Sequence, residues 1–239
     1  MNIEETLVGD WVKERPLSSQ IFQKLNIDYC CGGKRTIKEA CEKSGIDADT
    51  LINQLELLEN KTATIPGLDF NSMSLSFLSD YIYEVHHKYL YEKLPEIDGL
   101  VNKVTAKHGD KYNWLAELSQ LFFALKNDLE GHLPKEEQIL FPYIKAMEQN
   151  GLSNRPPFQT IQNPLSVMHA EHDEAGEILH RIRVITSDYT PPVDACNSHL
   201  AMLALLKNLD DNLIQHIHLE NNILFPKSEK MESQQIALF

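Results

Sequence analysis

Apolar residues recur at three- and four-residue intervals from residue 73 onward, which is the spacing of helices with one buried face. The pattern predicts four long helices, at residues 74–107, 112–148, 163–187 and 194–225. Asn163 followed by Pro164 is a start signal for the third helix, and the fourth is expected to end before Pro226. Since strand signals are absent and a longer connection separates two helix pairs, we predict an all-α fold with an antiparallel four-helix bundle.

The chain before this region has a different pattern, of short helices. Thr36 and Glu39 match a capping box, and Gly45 is placed to end that helix. A segment without periodicity follows, with the breaker Pro66-Gly67. A domain this small cannot bury a large core by itself, so it is expected to pack against the rest of the chain or against a second subunit. We predict a small helical N-terminal domain at residues 1–59, a linker at 60–72 and the bundle at 73–239.

The two halves of the predicted bundle share an internal repeat. The segment His132-Leu-Pro-Lys-Glu136-Glu-Gln-Ile-Leu-Phe-Pro142 aligns with His216-Ile-His-Leu-Glu220-Asn-Asn-Ile-Leu-Phe-Pro226 at an offset of 84 residues. Upstream of these segments, His87 aligns with His172 at an offset of 85. Each half is therefore one helix with a single histidine, followed by a helix with His-x3-Glu. Two such hairpins, packed face to face, predict a pseudo-two-fold bundle.

The spacing within the repeat predicts a metal site. Residues four apart lie on one helical face, so the histidine and glutamate of each motif can reach the same point. A single His-x3-Glu pair is more often a solvated surface pair, but a surface pair gives no reason for the Ile-Leu-Phe-Pro tail to recur in register. With the two upstream histidines, the predicted ligands are His87, His132, Glu136, His172, His216 and Glu220.

This donor set favours two iron ions per chain, bridged by Glu136 and Glu220. Imidazole and carboxylate without thiolate suit iron, manganese or zinc, and structural zinc prefers a closed site that usually includes cysteine. Iron is our first choice and manganese the second. Two glutamates do not fully compensate the charge of two ferrous ions, and the remaining positive charge favours an oxo or hydroxo bridge. Coordination positions that stay open would admit a small exogenous molecule.

Other polar residues near these positions have open roles. His86 adjoins His87, but neighbours on a helix point about 100° apart, so only one can face the bundle centre, and we choose His87. Glu171 and Asp128 either contribute polar groups near the site or are solvated acids. His218 is expected to be solvated. Three histidines with no place in the repeat are expected at the surface: His108, His180 and His199.

Cys30 and Cys31 form an adjacent pair in the segment Asp28-Tyr29-Cys30-Cys31-Gly32-Gly33-Lys34-Arg35. Because a helix is predicted to begin after Thr36, the thiols are expected near a helix N-terminus and two cations, and both favour thiolate. We predict a reactive thiol pair that can undergo redox chemistry or bind soft metals. The alternative is that two small apolar side chains only pack in a small domain.

Charge and composition exclude several classes of function. The chain has 22 basic and 35 acidic residues, and its net charge of −13 repels nucleic acid and anionic membranes. No apolar run approaches the roughly 18–20 residues that cross a bilayer. The acidic start of the chain and the four cysteines indicate neither an export signal nor a disulfide framework. We expect a cytoplasmic protein that has no nucleic-acid or membrane partner.

The thiol segment and the repeat together resemble the repair-of-iron-centres family, di-iron proteins of the ScdA/YtfE type, over nearly the whole chain. The resemblance rests on Tyr29-Cys30-Cys31-Gly32-Gly33 and on runs at residues 135–142, 171–176 and 219–226. It implies a haemerythrin-like bundle and a cytoplasmic homodimer that repairs iron–sulfur clusters damaged by nitrosative or oxidative stress, by donating iron. It also implies that the six histidines and glutamates are iron ligands, and that Cys30 and Cys31 are the reactive pair.

Three functions stay open at this point. The first is iron donation to damaged iron–sulfur proteins. The second is an enzymatic one, a nitric oxide reductase in which adjacent irons bring two nitrosyls together to form nitrous oxide. The third is a sensor that binds nitric oxide or oxygen without turnover. The residues do not separate them, so enzymatic activity is left undecided.

Overall fold

The computed structural model describes residues 5–15, 18–25, 27–30, 32–62, 69–151 and 158–237. These residues form helices joined by turns, with no β-strand among them, and Leu7 and Thr36 make an isolated bridge. The chain divides into two compact units, one of residues 79–213 and one of residues 1–78 with 214–239. None of the helices in the described ranges is long and apolar enough to span a bilayer.

Among the described residues, four α-helices begin before the predicted linker: α1 Val8–Glu14, α2 Ser19–Lys24, α3 Ile37–Ser44 and α4 Ala48–Thr62. The signals predicted for α3 are confirmed, because Thr36 and Glu39 exchange both capping-box hydrogen bonds and Gly45 ends the helix at φ 66°. The helix α4 extends three residues into the predicted linker. Residues 63–68 lie outside the described ranges, so the domain boundaries stay a prediction.

The apolar faces of α1 to α4 share one core. Trp11 of α1, Phe22 of α2, Ile37 of α3 and Leu51 of α4 are buried in it, and Ile214 packs against it from the C-terminal segment of the same unit. Full burial of each such side chain contributes about 1.5–3 kcal/mol. The small domain therefore does not bury its apolar surface alone.

The remaining helices contain three π turns, where the backbone bond spans five residues instead of four. The elements are α5 Leu75–Tyr81, π1 Ile82–His87, α6 Lys88–His108, α7 Trp114–Lys135, π2 Glu136–Leu140, α8 Phe141–Asn150, α9 Gln162–Ile185, α10 Asn197–Leu219, π3 Glu220–Leu224 and α11 Phe225–Ile236.

Within the unit of residues 79–213, four helices pack around one apolar core. Leu94 of α6, Phe122 of α7, Leu179 of α9 and Leu206 of α10 are all buried in it. Their polar faces are exposed, as the amphipathic pattern predicted. The all-α helical bundle with a small N-terminal helical domain is confirmed.

Two predicted helix ends are wrong. The third long helix begins at Gln162 after Ile161, so Asn163 lies inside it, and its side chain donates to the Phe158 carbonyl instead of capping the helix. The fourth does not stop before Pro226 but continues to Ile236. Proline is tolerated there because it lies in the first turn of α11, directly after π3, where the regular helical bond is already interrupted.

Candidate metal centre

The two His-x3-Glu motifs each end in a π turn at the glutamate. The Glu136 carbonyl accepts a hydrogen bond from the Phe141 N–H, and the Glu220 carbonyl accepts one from the Phe225 N–H. The following proline has no N–H and cannot continue a regular helical ladder. The repeated Glu-x4-Phe-Pro sequence therefore produces the same widened turn twice. Such turns are frequent at functional sites, because they re-aim one side chain without ending the helix.

Several predicted ligands are in direct contact. Glu136 Oε2 lies 3.4 Å from His87 Nε2 and 3.3 Å from His132 Nε2. The Nε2 atoms of His132 and His172 are 3.2 Å apart. In the second motif, His216 Nε2 lies 3.1 Å from Glu220 Oε1.

All six predicted ligands belong to two groups of side chains that could hold a metal ion, and within each group the potential ligand atoms lie within 4.8 Å of one another. Every member of both groups is buried. Glu136 and Glu220 belong to both groups, whereas each histidine belongs to one. The first group is His87, Glu136, His216 and Glu220, and the second is His132, Glu136, His172 and Glu220.

The donor set fits a metal cation. Glu136 and Glu220 are fully buried, and a buried carboxylate is costly unless a positive charge compensates it. Neutral imidazoles do not supply that charge, but they are good ligands for iron through Nε2. A cation bound among these side chains would compensate the charge of the carboxylates and would be coordinated by the imidazoles.

Two further carboxylates bind the far side of the ligand imidazoles. His87 Nδ1 lies 2.9 Å from Glu137 Oε1, and His132 Nδ1 lies 2.7 Å from Glu171 Oε2. In the tautomer with the proton on Nδ1, each histidine donates to its carboxylate and presents an unprotonated Nε2 to Glu136. Carboxylates in this position orient a ligand imidazole and raise its basicity.

Each of these outer carboxylates has a second donor. Tyr91 Oη donates to Glu137 at 3.0 Å, and burial together with this contact raises the pKa of Tyr91 to about 12. The Lys135 ammonium donates to Glu171. Burial alone raises the pKa of Glu171, but the hydrogen bonds from Lys135 and His132 outweigh burial and leave the pKa lowered. Glu171 is therefore ionised at neutral pH.

Sequence reasoning singled out Glu171 as a candidate but missed Glu137. The repeat gave no signal for Glu137, because the equivalent position of the second half is Asn221. Asp128, the other acid considered, is exposed.

Only one of the two adjacent histidines belongs to the candidate metal-binding groups, which agrees with the angle of about 100° between neighbouring side chains on a helix. His87 joins the cluster, whereas His86 Nδ1 lies 3.3 Å from Asn212 Oδ1 and its ring packs edge-on against Tyr81. Both residues lie in π1, and both are buried. Burial alone would not have told the two apart.

Two expectations about other histidines are wrong. His199 is buried rather than exposed, since Tyr112 and Trp114 pack against its ring, and burial lowers its pKa. His218 is buried rather than solvated, because Tyr29 of the N-terminal segment covers it, and burial lowers its pKa to about 4. Of the other two expected at the surface, His180 is exposed and His108 is partly buried.

The thiol segment forms a tight turn around Asp28. The Cys30 backbone N–H and the Cys30 Sγ both donate to Asp28 Oδ1, at 3.0 and 3.2 Å, and the Gly32 N–H donates to Asp28 Oδ2 at 2.8 Å. The Cys30 side chain is buried. Cys31 lies outside the described residues, so the reactive pair stays a prediction.

Comparison with known proteins matches both parts of the chain. The family model of the hemerythrin HHE cation binding domain matches residues 79–228. A second family, ScdA_N, described as a domain of unknown function (DUF542), matches residues 4–59.

Among curated proteins, an iron-sulfur cluster repair protein YtfE from Enterobacter sp. (strain 638) is 36% identical over 95% of this chain and 98% of its own. Proteins of the same name from Salmonella paratyphi B and Salmonella newport are 36% identical over 92% of this chain and 95% of theirs. The chain therefore belongs to the family of YtfE-type iron–sulfur cluster repair proteins, with an ScdA_N domain followed by a hemerythrin HHE cation binding domain.

Proposed function

We propose that this protein repairs damaged iron–sulfur clusters by donating iron from a di-iron centre. The observation that carries the proposal is that two groups of four buried ligands share Glu136 and Glu220. The names of the relatives support the repair role. Nitric oxide reduction and sensing are not favoured by those names, and no contact among the described residues selects either of them.

The way the ligands are shared supports two iron ions per chain. One ion would take His87 and His216, the other His132 and His172, and both would take the two glutamates. Each ion then has two imidazoles and two shared carboxylate oxygens, which leaves positions for an oxo or hydroxo bridge. The two carboxylates would supply negative charge between the ions, where the repulsion between two cations would be largest.

The donor set also suits release of iron as cargo. Carboxylate and imidazole ligands hold ferrous iron less firmly than the thiolates of an iron–sulfur protein hold it, so transfer to a damaged or empty cluster site is downhill. Glu137 and Glu171 keep the ligand imidazoles in the metal-binding tautomer. The chain's own residues thus hold the cargo in a defined geometry without thiolate ligands.

The same proposal includes the partners expected from the sequence. Damaged iron–sulfur proteins are the clients, and nitric oxide or oxygen can occupy open positions on the ions. We propose a homodimer in the cytoplasm, where clients with labile clusters are found. Cys196 is exposed and has no disulfide, which suits a reducing compartment.

The first test is metal content. Anaerobically loaded protein should hold about two irons per chain, and Glu136→Ala or Glu220→Ala should lower that number, because each removes a ligand shared by both ions. Glu174→Ala is the matched control, since Glu174 is exposed on the helix that carries His172. If both shared-ligand variants keep full iron, the bridging assignment is wrong.

The second test is transfer. Loaded protein is mixed anaerobically with a client whose cluster has been removed or nitrosylated, nitric oxide and a chemical reductant are supplied, and free iron, client-bound iron and nitrous oxide are measured together. Iron moving to the client supports donation. Repeated nitrous oxide formation with the iron retained supports a reductase and contradicts the proposal.

A further inference from the structure

The thiol segment meets the metal-binding helix at Asn222, within one compact unit. Asn222 lies in π3, and Gly9 of α1 and Gly33 of the thiol segment approach it closely. A Cβ on Gly9 would lie 2.6 Å from Asn222 Oδ1, and one on Gly33 would lie 3.0 Å from the same atom. The Gly9 N–H also donates to the Gly33 carbonyl at 2.9 Å. A Cβ at Gly33 would also lie 2.7 Å from the Tyr29 carbonyl oxygen, and one at Gly9 would lie 3.0 Å from the Gly33 carbonyl oxygen, so neither position has room for a larger side chain.

Polar contacts join the same elements. Asn222 Nδ2 donates to the Tyr29 carbonyl at 3.4 Å and lies 3.0 Å from His218 Nδ1. The His218 ring packs edge-on against the Tyr29 ring, with centroids 5.2 Å apart. His218 and Asn222 stand two residues before and two residues after Glu220. The carbonyl directly before Cys30 is therefore held by the turn that presents Glu220.

This attachment matters because the Cys30 thiol is buried. Its sulfur and backbone N–H are both bound to Asp28, and 7% of the residue's surface is exposed. Any reaction of this thiol with a partner or a metal requires the turn to open. Opening of this kind is a local event whose free energy depends on the hydrogen bonds and packing that hold the segment.

We propose that Asn222 is a positioning residue that couples the ligand Glu220 to the exposure of the Cys30 thiol. The coupling rests on the proposed metal binding by Glu220. With iron bound, π3 is held in place, Asn222 clamps the Tyr29 carbonyl, and Cys30 stays buried. When iron leaves, the two buried carboxylates lose their compensating charge and repel each other, π3 shifts, and the thiol segment is released.

Thiol alkylation tests the coupling without measuring repair. Iron-loaded and chelator-treated protein are exposed anaerobically to iodoacetamide, and the modification of Cys30 is followed by peptide-resolved mass spectrometry. The exposed Cys196, in the other compact unit, is the internal reference. Iron removal should speed Cys30 alkylation by about tenfold in the native protein, the change expected when one of the hydrogen bonds that hold the segment is lost.

Asn222→Ala should be alkylated rapidly in both states, because the clamp is gone whether or not iron is bound. Asn222→Asp keeps the shape but loses the donor to the Tyr29 carbonyl, so it should behave in the same way. Gly9→Ala places a Cβ 2.6 Å from Asn222 Oδ1 and 3.0 Å from the Gly33 carbonyl oxygen, so it should displace Asn222 and the thiol segment and also speed the reaction. Asn102→Ala removes an exposed amide that bonds to Asp98 and is the control, with the native response to iron.

Iron content and helical circular dichroism are measured on every sample. Native protein that binds two irons but shows the same Cys30 rate with and without iron overturns the coupling. So does a folded, loaded Asn222→Ala protein whose Cys30 remains protected, because contacts other than Asn222 would then keep the thiol buried. Native protein that binds no iron contradicts the proposed function instead, so the two failures are distinguishable.

Discussion

Replacing Glu171 is the sharpest test of how this site is built. Its carboxylate is 2.7 Å from His132 Nδ1, and its side chain is about three-quarters buried, with an exposed fraction of 26%. Without it, the His132 imidazole loses the acceptor that holds the proton on Nδ1. Loss of such an outer carboxylate lowers metal affinity by about 10–100-fold, which corresponds to about 1.4–2.7 kcal/mol. We expect the loss of affinity to be near the upper value for Glu171→Ala. For Glu171→Gln, which retains an acceptor oxygen, we expect it to be near the lower value.

The assay is an anaerobic ferrous titration against a coloured chelator, which reports affinity without any turnover. Glu174→Gln is the control, since this exposed glutamate lies three residues further along the same helix. Lys135→Met is expected to change the affinity for ferrous iron in the opposite direction. Lys135 binds Oε1 of Glu171, whereas His132 binds Oε2, so removing the ammonium leaves a more basic carboxylate for His132 and should raise affinity. Affinity within twofold of native for Glu171→Ala would refute the assigned role of the carboxylate.

Three other predictions use separate parts of the chain. His87→Ala should lose iron while His86→Ala keeps most of it, and the opposite result would move the ligand by one position. Asp210→Ala leaves the partly buried Arg183 without its bidentate partner. Chemical denaturation should therefore show a loss of about 3–5 kcal/mol in the free energy of unfolding. A loss below about 1 kcal/mol would mean that the ion pair is well solvated. The double variant Cys30→Ser/Cys31→Ser should keep two irons but slow repair of damaged clusters, and a normal repair rate would make the cysteines packing residues.

Much of the site was predictable because it is encoded in local spacing. An i,i+4 pair lies on one helical face whatever the helix packs against, so each His-x3-Glu motif defines half of a site by itself. The repeat then supplied the second half, and the upstream histidines followed from their matching offsets. The capping box at Thr36 was predictable for the same reason, since both of its hydrogen bonds join residues three apart.

The long-range contacts were decided only by the tertiary structure. Glu137 follows Glu136 in the chain, but it becomes a partner of His87 because a helix fifty residues earlier packs beside it. His218 has the polar character of a surface residue, and it is buried because Tyr29 covers it. Sequence spacing determines which side chains share a helical face, whereas the packing of distant segments determines what that face meets. For this protein the sequence alone therefore determined the helices and the candidate ligands. The tertiary structure decided how those ligands are held, and that the thiol segment is attached beside one of them.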